Sequence, residues 1–424
     1  MILANITTPL LGLVDTAVMG HMDSSAILAG ASIGALILTQ IYWVCGFLRM
    51  STTGLSAQAR GAAAGSAEPA KVLYQACAMA LILGMALWLV QGWVLQAGLT
   101  LANPSSQVSQ FVSAYFSVRV WGAPAAMLNL VLVGWLVGQQ RTRAVMVIQI
   151  VGNLLNAGLD VLFVFGLDMS VGGVALASVL AETFMAGAAM LVALRQVGFT
   201  PVQWHWFNAA ARKMLMRLNG NMLLRNLALQ LCLAFVTLQG ARYGATAAAV
   251  NAILMQFFVL IALGLDGIAY AVEALVGEAT GRRDSKAVMT HTHRGLFWST
   301  MFALGYALIF WMGGAQIIGL LTNLPSLFEA ALPYLPLMIL LPLVGHWCFL
   351  FDGVFVGLTR SAAMRDTMII SALGVFFPVW WLFKAHGNIA LWFALLAFLL
   401  ARGVTLAVVL YRFNYHDKLI FDED

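Results

Sequence analysis

Six carboxylates interrupt the long apolar stretches of this chain, and they are the residues best able to do chemistry there. They are Asp15, Asp160, Glu182, Asp266, Glu273 and Asp352. Three cations are comparably placed, namely Arg119, Arg225 and Arg402. A carboxylate at mid-membrane depth costs about 2.5–3.5 kcal/mol on insertion scales, so it usually faces a bundle interior or a water-filled cavity. Because acids outnumber bases, we expect some of these carboxylates to be protonated, ion-bound or hydrated.

The strongest candidate site combines two of these acids. Asp15 lies in "LLGLVDTAVMG" with no cation within helical reach, and Asp160 follows Asn156 by four residues. Residues four apart project from one helix face, and Asn153 lies about one turn earlier. Ser178, in the next apolar stretch, adds a hydroxyl. Asp15, Asn156, Asp160 and Ser178 therefore predict a small polar pocket whose oxygen atoms suit a shared proton or a hard cation such as Na⁺.

Proton exchange is the chemistry that this pocket favours. Burial in apolar surroundings disfavours the charged form of a carboxylate, and a second carboxylate nearby disfavours it further. The alternative that the residues leave open is structural, with the aspartates capping helices or bonding within the bundle.

A secondary candidate site for a substrate or a second ion comprises Asn153, Asp266 and Asp352. For Asp352 the alternative is an ordinary ion pair with Arg225 or Arg402.

The composition identifies the surroundings of these residues as a membrane. The chain has 424 residues, of which 62% are hydrophobic and 9% charged, and its mean hydropathy is +0.90. Soluble domains carry about 25% charged residues. The apolar runs are continuous and long enough for helices, whereas an outer-membrane barrel shows short segments of alternating polarity. The sequence thus predicts an all-α polytopic membrane protein.

About twelve apolar segments approach the roughly 20 residues that a spanning helix needs. Their approximate spans are 2–20, 28–50, 72–98, 113–138, 144–166, 171–194, 219–241, 247–277, 295–321, 328–358, 366–384 and 388–411. Lysine and arginine are concentrated in alternate connections, and the intervening connections hold only Arg242 and Lys384. This pattern predicts that both termini are cytoplasmic. We expect a multi-pass protein of a bacterial inner membrane, in contact with the lipid bilayer.

The two halves of the sequence resemble each other. "GLSAQARG" recurs as "ALVGEATG", and "GWLVGQQR" recurs as "GVFVGLTR", each about half the chain further on. The second pair contains G-x-x-x-G spacings, which allow close approach of neighbouring helices. We predict two six-helix lobes in parallel repeat. The predicted divisions are an N-lobe (1–196), a cytoplasmic linker (197–218), a C-lobe (219–412) and a cytoplasmic tail (413–424).

The predicted linker contains "PVQWHWF" followed by basic residues. Tryptophan is enriched at membrane interfaces. We interpret the linker as an interfacial segment, with Trp204 and Trp206 at the level of the lipid headgroups.

The sequence offers no sign of an enzyme. It lacks a phosphate-binding loop of the type G-x-x-x-x-G-K-[ST] and the zinc motif H-E-x-x-H. The four cysteines lie in apolar runs without metal-ligand spacing. A net charge of +5 with no basic face gives no support for nucleic-acid binding. We expect a transporter without a cofactor.

Several long stretches resemble a known family. "NITTPLLGLVDTAVMGHMDSSAILAGASIG", "GNLLNAGLDVLFVFGLDMSVGGVALASVLAE", "LDGIAYAVEALVGEATG" and "CFLFDGVFVGLTRSAAMRD" are similar to MATE transporters (multidrug and toxic compound extrusion), and more narrowly to their DinF branch. The resemblance runs from about Asn5 to the last span.

The resemblance implies two six-helix lobes around a V-shaped cleft and cation-coupled export of organic, often cationic or amphipathic, compounds by a monomer. It implies coupling through the first-helix aspartate of the "LVDT" motif, here Asp15, and through Asn156 and Asp160. Ser178 stands where the family pattern has threonine, and it retains the hydroxyl. Sodium-type relatives carry an acid on the seventh helix, where this chain has Arg225, so the resemblance favours protons over Na⁺.

The resulting hypothesis is an H⁺-coupled exporter in which Asp15 is the main proton carrier. The alternatives are a Na⁺-coupled MATE exporter and a lipid-linked sugar flippase of the same superfamily. A non-coupled channel is the alternative from another class.

Overall fold

The computed structural model describes residues 1–420, and these residues are helical almost throughout. They divide into two compact units, Met1–Lys213 and Met214–Asp424. The predicted tail, 413–424, extends beyond the described part of the chain from residue 421 onwards.

The first unit contains eight α-helices. They are α1 (Ile2–Gly20), α2 (Ser25–Val44), α3 (Phe47–Gly61), α4 (Glu68–Ala102), α5 (Ser106–Arg119), α6 (Ala123–Gly138), α7 (Thr142–Val161) and α8 (Val171–Val197). Two of them, α2 and α5, begin at side-chain caps. Ser24 accepts from the Ala26 amide at 3.2 Å, and Ser105 accepts from Val108 at 3.4 Å. Such caps satisfy amides that the first helical turn leaves without partners.

The second unit also contains eight α-helices over the described residues. They are α9 (Ala209–Arg242), α10 (Ala245–Gly281), α11 (Ser285–Leu321), α12 (Pro325–Ala331), α13 (Leu335–Leu358), α14 (Ser361–Ser371), α15 (Phe377–Phe383) and α16 (Ile389–Tyr415). Helix α9 begins at Ala209, four residues before the first unit ends.

Within residues 1–420, twelve helical segments are long and apolar enough to cross a membrane. Some of them join two α-helices, as Ser25–Gly61 joins α2 and α3. The prediction of an all-α protein with about twelve spans is confirmed.

The repeated glycines allow close packing of corresponding helices in the two units, α6 against α3 in the first and α13 against α10 in the second. A Cβ on Gly138 of α6 would lie 2.7 Å from the Thr53 carbonyl oxygen of α3. A Cβ on Gly357 of α13 would lie 2.8 Å from the Gly277 amide nitrogen of α10. Real Cβ atoms essentially never approach so closely, so only glycine fits at these crossings. The G-x-x-x-G spacings therefore serve packing within each unit.

Two short π-helical turns occupy matching places in the two units. Leu162–Gly166 follows α7, and Ala372–Phe376 follows α14. Such turns are rare and occur frequently at functional sites. The first of them begins two residues after Asp160.

Candidate functional site: a carboxylate pair between two helices

The first unit brings together the two aspartates that the sequence analysis selected. Asp15 lies in the C-terminal half of α1, which continues through Pro9 to Gly20, and Asp160 lies on the last turn of α7. The two helices pack against each other. The carboxyl groups of Asp15 and Asp160 lie within hydrogen-bonding reach of each other.

Few other groups compete for these carboxyl oxygens. Asp160 is 0% exposed. Both of its carboxyl oxygens and Oδ1 of Asp15 are buried and accept no hydrogen bond from another group in the described residues. Oδ1 of Asn156, one turn earlier on α7, is also buried without a donor. Buried polar atoms are normally satisfied, so these four oxygens require a proton, a cation or water.

The remaining predicted side chains of this site lie nearby but have other roles or contacts. Asn153 donates from Nδ2 to the hydroxyl oxygen of Thr7 at 2.8 Å, which ties α7 to α1. Ser178 is 6% exposed on α8, which packs against both α7 and α1. The structure therefore brings Asp15 and Asp160 together, with Asn156 one turn away and Asn153 acting as an interhelical bond.

The third intramembrane acid of this unit, Glu182, forms an ion pair with Arg119. Arg119, at the end of α5, donates to both carboxylate oxygens of Glu182 on α8, with Nη1 to Oε2 at 2.7 Å and Nη2 to Oε1 at 2.5 Å. The guanidinium also lies over the Tyr42 ring, 5.6 Å from its centroid. The hydrogen bonds of this guanidinium go to Glu182. Asp15 is therefore not held by this arginine.

The secondary candidate site lies in the second unit and is built differently. Oδ2 of Asp352 on α13 accepts from Nη2 of Arg225 on α9 at 2.6 Å and from Nη2 of Arg402 on α16 at 2.5 Å. Arg225 also donates from Nη1 to Oδ1 of Asn226 at 2.7 Å. Asp352 thus takes the ion-paired alternative that the sequence left open.

The other members of that secondary set belong to different units. Asp266 is half-buried on α10, a helix that packs against α13. Asn153 belongs to the first unit. Two guanidinium groups on the Asp352 carboxylate leave it poorly suited to attract a cationic substrate.

Sequence reasoning missed two partners. Thr7 was not selected, because a hydroxyl in a helix usually bonds its own backbone, as Thr7 also does with the Ala4 carbonyl at 2.8 Å. The pairing of Arg119 with Glu182 was not specified either. The available signal was charge balance, since Arg119 is the one intramembrane cation of the first half that the sequence analysis noted.

Over the described residues, twelve helices long and apolar enough to span a membrane, with charged groups buried among them, define a polytopic membrane protein. The family model described as MatE matches residues 1–162 and 222–382, which is well over half of the chain. The chain belongs to the MatE family of transporters.

Two curated relatives support this assignment. DNA damage-inducible protein F of Escherichia coli (strain K12) is 41% identical over 417 residues, which cover 96% of this chain and 89% of that protein. A probable multidrug resistance protein, NorM of Acinetobacter baylyi, is 23% identical over 423 residues, covering 96% and 92%. The predicted resemblance to the DinF branch is confirmed by the first of these.

Solved structures show the same fold. A crystal structure of MATE in the bent conformation superposes with a TM-score of 0.86 at 17% identity, covering 99% of this chain and 94% of that one.

Proposed function

We propose that this protein is a secondary active exporter of organic compounds that moves cations in the opposite direction, with H⁺ as the favoured coupling ion. The observation that carries the proposal is the contact between the Asp15 and Asp160 carboxyl groups. Two carboxylates repel each other, whereas a carboxylic acid donates to a carboxylate. Two carboxyl groups that face each other therefore favour one shared proton.

Proton binding at the Asp15 and Asp160 pair would couple the movement of protons to the movement of substrate. If substrate binding favours the doubly ionised or hydrated pair, protonation must weaken substrate binding by the same free energy. Asp15 is the natural carrier because it is half-buried, whereas Asp160 is fully buried. Asn156 lies one turn from Asp160 and offers an oxygen without a donor, so it is placed to hold a water or a cation. Ser178 is proposed to complete the pocket from α8.

Na⁺ is the alternative coupling ion. The same four oxygens are hard ligands of the kind that Na⁺ accepts, so the donor set fits either cation. The lipid-linked sugar flippase is less well supported, because a pyrophosphate needs accessible cations. Arg225 and Arg402 are both bonded to Asp352 in the second unit, and Arg119 is bonded to Glu182.

The substrates that we propose are small organic compounds of cationic or amphipathic character. The Acinetobacter relative is described as a probable multidrug resistance protein. The proposed location is a bacterial inner membrane with both termini cytoplasmic, since the basic residues gather in alternate connections. In this proposal the predicted lobes 1–196 and 219–412, joined by 197–218, alternate access to a substrate site, and the monomer is the working unit.

The test is transport into sealed vesicles that contain the purified protein. Ethidium accumulation would be followed under an imposed pH gradient, and then under an imposed Na⁺ gradient at constant pH. We expect accumulation above the equilibrium level with the pH gradient, and its loss in Asp15→Asn. Accumulation driven only by Na⁺ would establish the alternative ion. Equilibration without accumulation under either gradient would establish a non-coupled channel and contradict the proposal.

A further inference from the structure

The segment between α8 and α9 has two faces, and one of them is fixed to the protein. The Thr200 carbonyl accepts from the hydroxyl of Tyr74 at 2.8 Å, and the Trp206 carbonyl accepts from Nε2 of Gln75 at 2.8 Å. The Trp206 indole is 5% exposed and stacks on the Tyr74 ring, with centroids 6.0 Å apart. Helix α4 therefore holds the segment at two points, and Trp206 is an internal anchor packed against the protein.

The other face of the segment consists of apolar side chains without cover. Phe199 is 103% exposed, Trp204 is 86% exposed and Val202 is 50% exposed. Gly198 has a φ of +67°, a backbone conformation that side chains rarely adopt, and it turns the chain at the end of α8. Since both ends of the segment are bonded to α4, these three side chains are presented by a fixed backbone.

Basic residues flank this apolar group on both sides along the chain. Arg195 lies exposed in the last turn of α8, and Arg212 and Lys213 lie exposed near the start of α9. The apolar group therefore lies between exposed cations along the chain.

We propose that this face, comprising Phe199, Val202, Trp204, Arg212 and Lys213, is a binding surface for anionic phospholipid. Trp and Phe side chains are typical of the membrane–water boundary, and basic side chains beside them attract anionic headgroups. The surface lies directly between two helices that are long and apolar enough to span the bilayer, Val171–Val197 and Ala209–Arg242. It therefore continues the lipid-facing surface of the protein, whereas a soluble protein partner would have to bind among lipids.

The two groups of residues make separable contributions. The apolar side chains insert among acyl chains and glycerol groups, so they strengthen contact with any phospholipid. Arg212 and Lys213 contact the headgroup phosphate, so they supply the preference for net negative lipids over zwitterionic ones.

Native mass spectrometry of the full chain in detergent, with phosphatidylglycerol or phosphatidylcholine added, tests the proposal. We expect tighter binding of phosphatidylglycerol, and a loss of most of that preference in Arg212→Gln/Lys213→Gln. Phe199→Ser/Trp204→Ser is expected to weaken binding of both lipids while the protein remains folded, because neither side chain is packed inside.

A matched control has the same charge change elsewhere. Arg242→Gln/Lys384→Gln removes two exposed cations, and the lipid preference is expected to persist. Equal loss in both double variants, or no loss in Arg212→Gln/Lys213→Gln, would overturn the proposal. Displacement of the lipid by inorganic phosphate alone would also overturn it, because the surface would then be a phosphate site.

Discussion

The two units bury aspartates in opposite ways. In the first unit, Asp15 and Asp160 face each other without a cation bonded to either. In the second, Asp352 accepts from Arg225 at 2.6 Å and from Arg402 at 2.5 Å. A buried carboxylate bonded to guanidinium groups stays ionised, whereas a carboxylate that faces another carboxylate is stabilised by taking up a proton. Under the proposed function, the first unit is suited to proton exchange and the second to a permanent buried charge.

The largest effect is expected when the carboxyl group proposed to exchange protons, that of Asp15, is removed. Asp15→Asn keeps the shape and can still donate to Asp160, but it cannot gain or lose a proton. We expect accumulation of ethidium under a pH gradient to fall to the level of protein-free vesicles, while the unfolding free energy changes by less than about 1 kcal/mol. Accumulation equal to that of the unsubstituted protein would contradict the assignment.

The matching substitution in the second unit should reduce the stability of the protein, whereas Asp15→Asn should reduce transport. Asp352→Asn leaves two buried guanidinium groups without their carboxylate, and breaking a buried ion pair costs about 3–5 kcal/mol. We expect a large drop in the unfolding temperature in detergent. Unchanged thermal stability, together with lost coupling, would show that Asp352 is an exchangeable group after all.

A smaller effect on transport is expected when the ion pair between Arg119 and Glu182 is broken. Glu182→Gln leaves the charge of Arg119 without its carboxylate, and this charge then acts more strongly on Asp15. A nearby cation favours the ionised carboxylate, so protons bind only at lower pH.

The alkaline limb of the pH profile of transport should therefore shift to lower pH in Glu182→Gln. Glu182→Asp, which retains the charge, is the control and should shift it less. A shift to higher pH in Glu182→Gln would contradict the role given to Arg119.

The smallest expected effect concerns the hydrogen bond between α7 and α1. Asn153→Leu removes the donor to Thr7, and one interhelical bond in a membrane protein contributes about 0.6 kcal/mol on average. We expect a slight loss of thermal stability and nearly normal transport. Complete loss of coupling would place Asn153 in the exchange site itself.

The fold could be predicted well from the sequence because the membrane imposes strict requirements on which residues a spanning helix can contain. Continuous apolar runs, the repeated G-x-x-x-G spacings and the carboxylates within spans each follow from the cost of burying polar groups. Asp15 and Asp160 could be selected because no cation lies near them on their own helices.

Partners from distant helices were harder to predict. Which arginine binds Asp352, or that Arg119 binds Glu182, depends on helix packing and not on local spacing. Trp206 shows the same limit, because its anchor, Tyr74, is far away in the sequence.

The most direct measurement of the central claim is infrared difference spectroscopy of the carboxyl stretching band as pH is changed. The account predicts a protonated-carboxyl band that titrates in the unsubstituted protein and in the control Glu278→Gln, which removes a half-buried carboxylate bonded to Arg282. It also predicts that this band is lost in Asp15→Asn/Asp160→Asn. The same titrating band in that double variant would contradict a proton shared between Asp15 and Asp160.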